Sequence, residues 1–176
     1  MNRYLELRDQ IKPGDAFVEE GTGLIPKEIE LLGGRWRGHG LSHALMAIKL
    51  QEDLVDHFFC IEALEDGLDL IKLSGEINNT IAKSGHVWWL PLKDEFEWAR
   101  PGLQSWALDH IAVGYDFKGL FGYNLPMITF NERRMFCSAV LYWDCVENKI
   151  TERREKPWRP VDVANYGPYK EAIQIG

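Results

Sequence analysis

Five apolar segments of strand length precede the longest helical segments in this sequence. The strand candidates, each bounded by turn residues, are AFVEE (16–20), LSHALMAIKL (41–50), HFFCIEAL (57–64), LDLIKLS (68–74) and GHVWWLPL (85–92). Helical spacing of apolar residues predicts two helices within 105–123, separated at Gly114, and a further helix in MFCSAVLYWDCVENKI (135–150). A shorter helix is predicted in LIPKEIELLGG (24–34). Strands followed by helices indicate an α+β domain.

The length of 176 residues suits one domain, 1–176, in which residues 151–176 form a proline-containing tail that wraps the surface. A net charge of −7 argues against non-specific binding to nucleic acid or to an anionic membrane. No stretch reaches the roughly 18 apolar residues of a membrane-spanning helix, and the N-terminus lacks the apolar core of a secretion signal. We therefore expect no stable membrane insertion and a cytoplasmic or phage-associated location. The oligomeric state is left open.

Cys137 stands at the start of the apolar stretch of the last predicted helix, and two residues, Met135 and Phe136, separate it from a pair of arginines. A thiol near a helix N-terminus is acidified by the N–H groups of the first turn and by the helix dipole, which favours a nucleophilic thiolate. The alternative is a buried packing residue, a common role of free cysteine. Asn131, the nearest good N-cap residue, would place Cys137 in the second turn, where the dipole acts less. Cys60 and Cys145 are interpreted as packing residues, and three cysteines without zinc spacing predict free thiols.

A thiol hydrolase also needs an imidazole base and a polar group that orients it. His43 interrupts an otherwise apolar strand, so it is either the base or a core histidine bonded to a backbone carbonyl. Glu62 lies in the next strand, on the face of Cys60. If the two strands pair, Glu62 can reach the imidazole of His43; otherwise it is an edge-strand carboxylate that faces water.

The spacing of His39 and His43 resembles the first and last residues of a zinc-peptidase motif, but the neighbouring glycines disfavour a helix. On a strand, two residues four apart are separated by roughly 13 Å, too far to share one ion. The sequence therefore predicts no metal and no cofactor. His39, His57, His86 and His110 are interpreted as ordinary histidines.

Five short motifs occur in an order that resembles the circularly permuted NlpC-type papain-like amidases, the YaeF/YiiX group. They are PGDAFVEE, SHALMAI, IEALEDGL, YDFKGL and FCSAVL, and they span about residues 13–146. The resemblance implies an antiparallel sheet or barrel packed against a helix that carries the cysteine. It matches Cys137 to the nucleophile, His43 to the base, Glu62 to the orienting residue and Tyr115 to a tyrosine that assists the oxyanion. The sequence departs from the usual pattern in the residues after His43 and after Ser138.

The resemblance implies a cysteine hydrolase that cleaves an amide bond, as in cell-wall peptides, or an acyl bond, as in the related lecithin retinol acyltransferase. The expected partner is a small peptide or acyl substrate. The rival hypothesis is a non-catalytic binding module on the same fold. A group of tryptophans could line an apolar groove or belong to the core: Trp88, Trp89, Trp98 and Trp106.

Overall fold

The computed structural model describes residues 3–21, 35–52, 55–64, 67–116 and 134–176. Its strands are β1 (Ala16–Glu20), β2 (Arg35–Trp36), β3 (His39–Gly40), β4 (His43–Glu52), β5 (Val55–Leu64), β6 (Gly67–Lys72), β7 (His86–Leu90) and β8 (Ile173–Gln174). Six of them form one antiparallel sheet in the order β6-β5-β4-β1-β7-β8, and β2 pairs with β3 in a separate hairpin. The five strands predicted from the sequence are therefore confirmed.

The described helices are α1 (Tyr4–Leu7), α2 (Leu73–Ala82), α3 (Arg100–Asp109), α4 (Cys137–Glu147) and α5 (Pro160–Tyr166). Short 3-10 turns occupy Arg8–Gln10 and Asp94–Ala99. Together with the sheet they make the chain α+β, as the order of segments predicts. Within the described ranges, no helix combines the length and apolar character needed to cross a membrane.

The main sheet is buried on both faces, because side chains alternate between two apolar layers. One layer joins Val18, Met46 and Ile61 to apolar residues of α4. The other joins Phe17 and Leu45 to residues of α1 and α2. A helix that carries the cysteine thus packs on one face of an antiparallel sheet.

Helix α4 begins at Cys137, with Phe136 as an extended N-cap residue (φ −101°, ψ 169°). The expectation that Asn131 caps this helix falls outside the described residues, but the placement of Cys137 in the second turn is wrong. Residues 137–145 are all buried, so the helix lies within the core rather than presenting one apolar stripe. The first turn, with its free N–H groups, therefore starts at the cysteine itself.

Residues 151–176 contribute to the core, which differs from the predicted surface-wrapping tail. Trp158 is 2% exposed, Val163 is fully buried within α5, and β8 extends the sheet at the edge of β7. Ser138 of α4 donates a hydrogen bond to the backbone carbonyl of Trp158 at 2.6 Å. The C-terminal segment thereby anchors the cysteine-bearing end of α4.

Two helix predictions are only partly testable. The first helix predicted within 105–123 is present, but it begins at Arg100 and ends at Asp109, five residues before Gly114. The second one falls mostly on residues 117–123, which are outside the described ranges, and the helix predicted at 24–34 lies entirely outside them. The sequence interpretation also missed α2, although Leu73, Ile77 and Ile81 have helical spacing and the first two are buried.

Candidate active site

His43 is the first residue of β4, and its Nε2 lies 3.2 Å from Oε2 of Glu62 on β5. The two strands are antiparallel neighbours, with Met46 opposite Ile61, so His43 and Glu62 share one face of the sheet. Glu62 is 4% exposed, so little water reaches its carboxylate. The contact with the imidazole replaces part of the hydrogen bonding that water would provide. The predicted contact between the two side chains is present.

Cys137 reaches the imidazole of His43 at the end of the sheet. Helix α4 packs on the other face, but His43 starts its strand, and there its ring lies close enough to the thiol for each group to shift the pKa of the other. Because Nε2 contacts Glu62, Nδ1 is the ring nitrogen that remains for Cys137. The structure thus brings together the three residues that the sequence interpretation assigned to one site.

The charges in this group favour a thiolate–imidazolium pair. Burial raises the pKa of Cys137, but His43 and the backbone N–H groups of Ala44 and Ser138 outweigh it and leave the pKa below its ordinary value. Burial lowers the pKa of His43, but Cys137 and Glu62 outweigh it and raise the pKa well above the ordinary value. The Ser138 N–H belongs to the first turn of α4, where an amide has no helical partner. The thiolate form of this buried sulfur is therefore favoured by His43 and by the N–H groups of Ala44 and Ser138.

The other two cysteines have the opposite electrostatic setting. Burial raises the pKa of Cys60 well above its ordinary value, and the nearby carboxylate of Glu62 adds to the effect. Burial likewise raises the pKa of Cys145, with a smaller contribution from Asp144. Both thiols are free, buried and protonated at neutral pH, in agreement with their interpretation as packing residues.

The Tyr115 backbone lies beside the segment that leads into α4. Tyr115 forms a parallel bridge with Met135, two residues before Cys137, and the Asp116 N–H donates to the Met135 carbonyl at 3.2 Å. The half-buried ring packs against the core layer that contains α4. The Tyr115 backbone therefore lies next to the residues that lead into Cys137. The role of Tyr115 at the oxyanion stays a prediction.

Glu19 is a buried carboxyl that the sequence interpretation did not single out. It lies opposite His43 in the pairing of β1 with β4, is 3% exposed, and accepts a hydrogen bond from Thr80 Oγ1 at 2.9 Å. Burial raises its pKa to about 7, against the lowering effect of His43. In the sequence, the burial of Glu19 is indicated only by the alternation of β1, which places Glu19 on the same face as Phe17.

The remaining histidines separate into two groups. His39 and His86 lie next to Glu20, with His39 Nδ1 2.8 Å from Glu20 Oε2, whereas His57 and His110 are outside this group. His39 and His43 have different partners: His39 contacts Glu20, and His43 contacts Glu62.

The four tryptophans of the central segment do not line one groove. Trp88 and Trp89 are both buried and belong to opposite layers of the core. Trp98 is 64% exposed, and Trp106 stacks on His110 with ring centroids 3.8 Å apart. The core interpretation therefore holds for two of them.

No protein-family model matches the sequence, and a search of the curated proteins finds no match.

Proposed function

We propose that this protein is a cysteine hydrolase that cleaves an amide or acyl bond through Cys137, His43 and Glu62. The observation that carries the proposal is that Cys137, the first residue of α4, lies beside an imidazole whose Nε2 contacts Glu62, and that this imidazole lowers the pKa of the thiol. Cysteine nucleophiles need a base within hydrogen-bond reach and a third group that orients the base. In chain order the histidine strand precedes the cysteine helix, which agrees with a circularly permuted papain-like fold of the NlpC type.

The chemistry follows from the charges. The Cys137 thiolate attacks the carbonyl carbon, and the Cys137 N–H, with Tyr115 in support, stabilises the oxyanion. The His43 imidazolium then gives its proton to the leaving amine, alcohol or thiol, and an acyl-enzyme remains. His43, now neutral, takes a proton from water, which attacks the thioester and releases the acid and the thiolate. Glu62 holds the ring orientation and stabilises the imidazolium.

The substrate we propose is a small peptide, with a cell-wall peptide as one candidate, or an acyl ester or thioester. Transfer to an acceptor other than water would use the same acyl-enzyme. One observation favours a different function, a binding module on the same fold: Cys137 is only 2% exposed, so a substrate carbonyl has little access to it among the described residues. His43 is more open, with 23% of its side chain exposed, and marks the side of approach.

The test is hydrolysis of a panel of chromogenic esters, thioesters and aminoacyl amides by the wild type and by Cys137→Ala. We expect turnover by the wild type and loss of at least a thousandfold in the variant, because the nucleophile is absent. Cys145→Ala is the matched control, since it removes a buried thiol from the same helix, and we expect it to keep activity. A folded Cys137→Ala variant with full activity would exclude the proposed nucleophile. A wild type that neither turns over the panel nor reacts with a thiol-directed activity probe would support the binding module.

A further inference from the structure

We propose that Glu20, His39 and His86 form a binding site for a divalent transition-metal ion of the zinc class. The three residues come from β1, β3 and β7, and their donor atoms all lie within 4.8 Å of one another. Two imidazole nitrogens and one carboxylate oxygen are a donor set that suits Zn²⁺, whereas Ca²⁺ and Mg²⁺ require oxygen ligands. No other such group is found among the described residues.

The distances are close to those of a zinc centre. Donors at about 2.1 Å from a tetrahedral ion are roughly 3.4 Å apart. Here Nδ1 of His39 lies 2.8 Å, and Nε2 of His86 lies 3.9 Å, from the same oxygen of Glu20, Oε2. Small side-chain rotations would bring these donors to the spacing of a zinc centre, and the ion would then lie between His39 Nδ1 and Glu20 Oε2 in place of their hydrogen bond.

Neighbouring groups hold the three ligands in place. The Gly40 N–H donates to Glu20 Oε1 at 3.2 Å, which leaves Oε2 directed at the two imidazoles. Trp88 packs against both rings, with centroid distances of 4.8 Å to His39 and 5.8 Å to His86. The side-chain Nε2 of Gln174 lies 3.4 Å from Nδ1 of His86 and donates to the Gly176 carbonyl at 3.2 Å, so this amide is held beside the ring. Such outer contacts are typical of metal sites.

The position of the site indicates what the ion does. Glu20 and His86 are directly opposite each other in the main sheet, while His39 belongs to the β2–β3 hairpin. An ion bound by all three joins the hairpin to the sheet. All three side chains are partly exposed, so water can fill the remaining coordination position. The site does not depend on the proposed hydrolase, because Glu20 faces away from the side of β1 on which Glu19 meets His43.

The test is a calorimetric titration of the full chain with Zn²⁺, together with thermal unfolding with and without the ion. The parent protein carries Cys137→Ala, because a cysteine–histidine pair also binds zinc. We expect one equivalent bound, a higher Tm in the presence of Zn²⁺, and at least tenfold weaker binding in each of His39→Ala, His86→Ala and Glu20→Gln. The control is His57→Ala, which removes an exposed imidazole from β5 and should bind like the parent.

Absence of binding, or equal affinity in the three ligand variants, overturns the proposal. Equal weakening by His57→Ala does the same, because it shows that imidazoles bind zinc without regard to position. A second measurement, which needs no substitution of a ligand residue, is the NMR spectrum of the parent protein with Co²⁺. The bound Co²⁺ should shift the ring protons of His39 and His86 more strongly than those of other histidines. Strongest shifts at other histidines contradict the assigned site.

Discussion

At the scale of single residues, surroundings rather than residue type separate the three cysteines. All three are buried, yet only Cys137 has a histidine and two backbone N–H groups directed at its sulfur. The sequence placed Cys137, His43 and Glu62 in one group through motif order and strand alternation. It did not identify the Ala44 N–H or Glu19, because their positions depend on how strands pair.

Glu62→Gln tests the role of the carboxylate charge. The amide keeps the size and a hydrogen bond, but it removes the negative charge that helps to raise the pKa of His43. In the wild type, the raised pKa of His43 keeps its imidazolium protonated up to a higher pH. In Glu62→Gln this pKa should be lower, so the variant should lose activity at a lower pH than the wild type. We expect kcat/KM to fall by about tenfold or more near neutral pH.

The measurement is the pH profile of kcat/KM, whose high-pH limb should move to lower pH. Asp69→Asn is the matched control, since Asp69 lies opposite Glu62 on β6 and is exposed. An unchanged high-pH limb in Glu62→Gln would show that Glu62 does not act on His43 through its charge.

At the scale of elements, local pattern predicts the strands well and the start of helices poorly. AFVEE, HFFCIEAL and GHVWWLPL carry clear apolar patterns and end at turn residues. Helix α4 begins without a side-chain cap, because its N-cap residue is Phe136, so no capping residue marks its start in the sequence. The β2–β3 hairpin was also missed, since its turn uses Arg37 with φ 49°, a conformation for which arginine gives no sequence signal.

Ser138→Ala tests whether the C-terminal segment holds the first turn of α4. The change leaves the buried Trp158 carbonyl without its donor, which should cost about 1–3 kcal/mol in the free energy of unfolding. Chemical denaturation measures the loss. Ser105→Ala, on the exposed side of α3, should leave stability unchanged or slightly raised, because alanine favours a helix. Equal stability of the two variants would argue against this anchor.

At the scale of the whole molecule, β1 lies between β4 and β7, so the first predicted strand is central in the sheet. The periodicity of the sequence does not predict this strand order. Which distant strands pair depends on how their side chains pack in the two apolar layers that cover the sheet. The position of β8 at the sheet edge was unpredictable for the same reason: two residues carry no strand pattern.

A buried carboxylate connects the distant parts of this fold. Asp15, 1% exposed, accepts hydrogen bonds from Trp89 Nε1 at 3.0 Å, from the Leu92 N–H at 3.0 Å and from Arg100 Nη1 at 2.8 Å. It thereby joins the start of β1 to β7 and α3.

Arg100→Ala should destabilise the protein by about 3–5 kcal/mol, because it leaves the buried Asp15 without its cation. The loss is measured by thermal and chemical unfolding. Arg3→Ala is the control, since it breaks an exposed pair with Glu6 and should cost less than about 1 kcal/mol. A loss in Arg100→Ala no greater than in the control would show that Asp15 is satisfied without Arg100.

The thiolate–imidazolium pair is tested most directly by the pH dependence of Cys137 alkylation with iodoacetamide, followed by mass spectrometry. The pKa of Cys137 lies below its ordinary value, so the reaction should reach its plateau at lower pH than for a free cysteine, whose pKa is about 8.5. His43→Ala should move the midpoint upward and slow the reaction near pH 7. A wild-type midpoint equal to that of free cysteine, unchanged by His43→Ala, would contradict the pair.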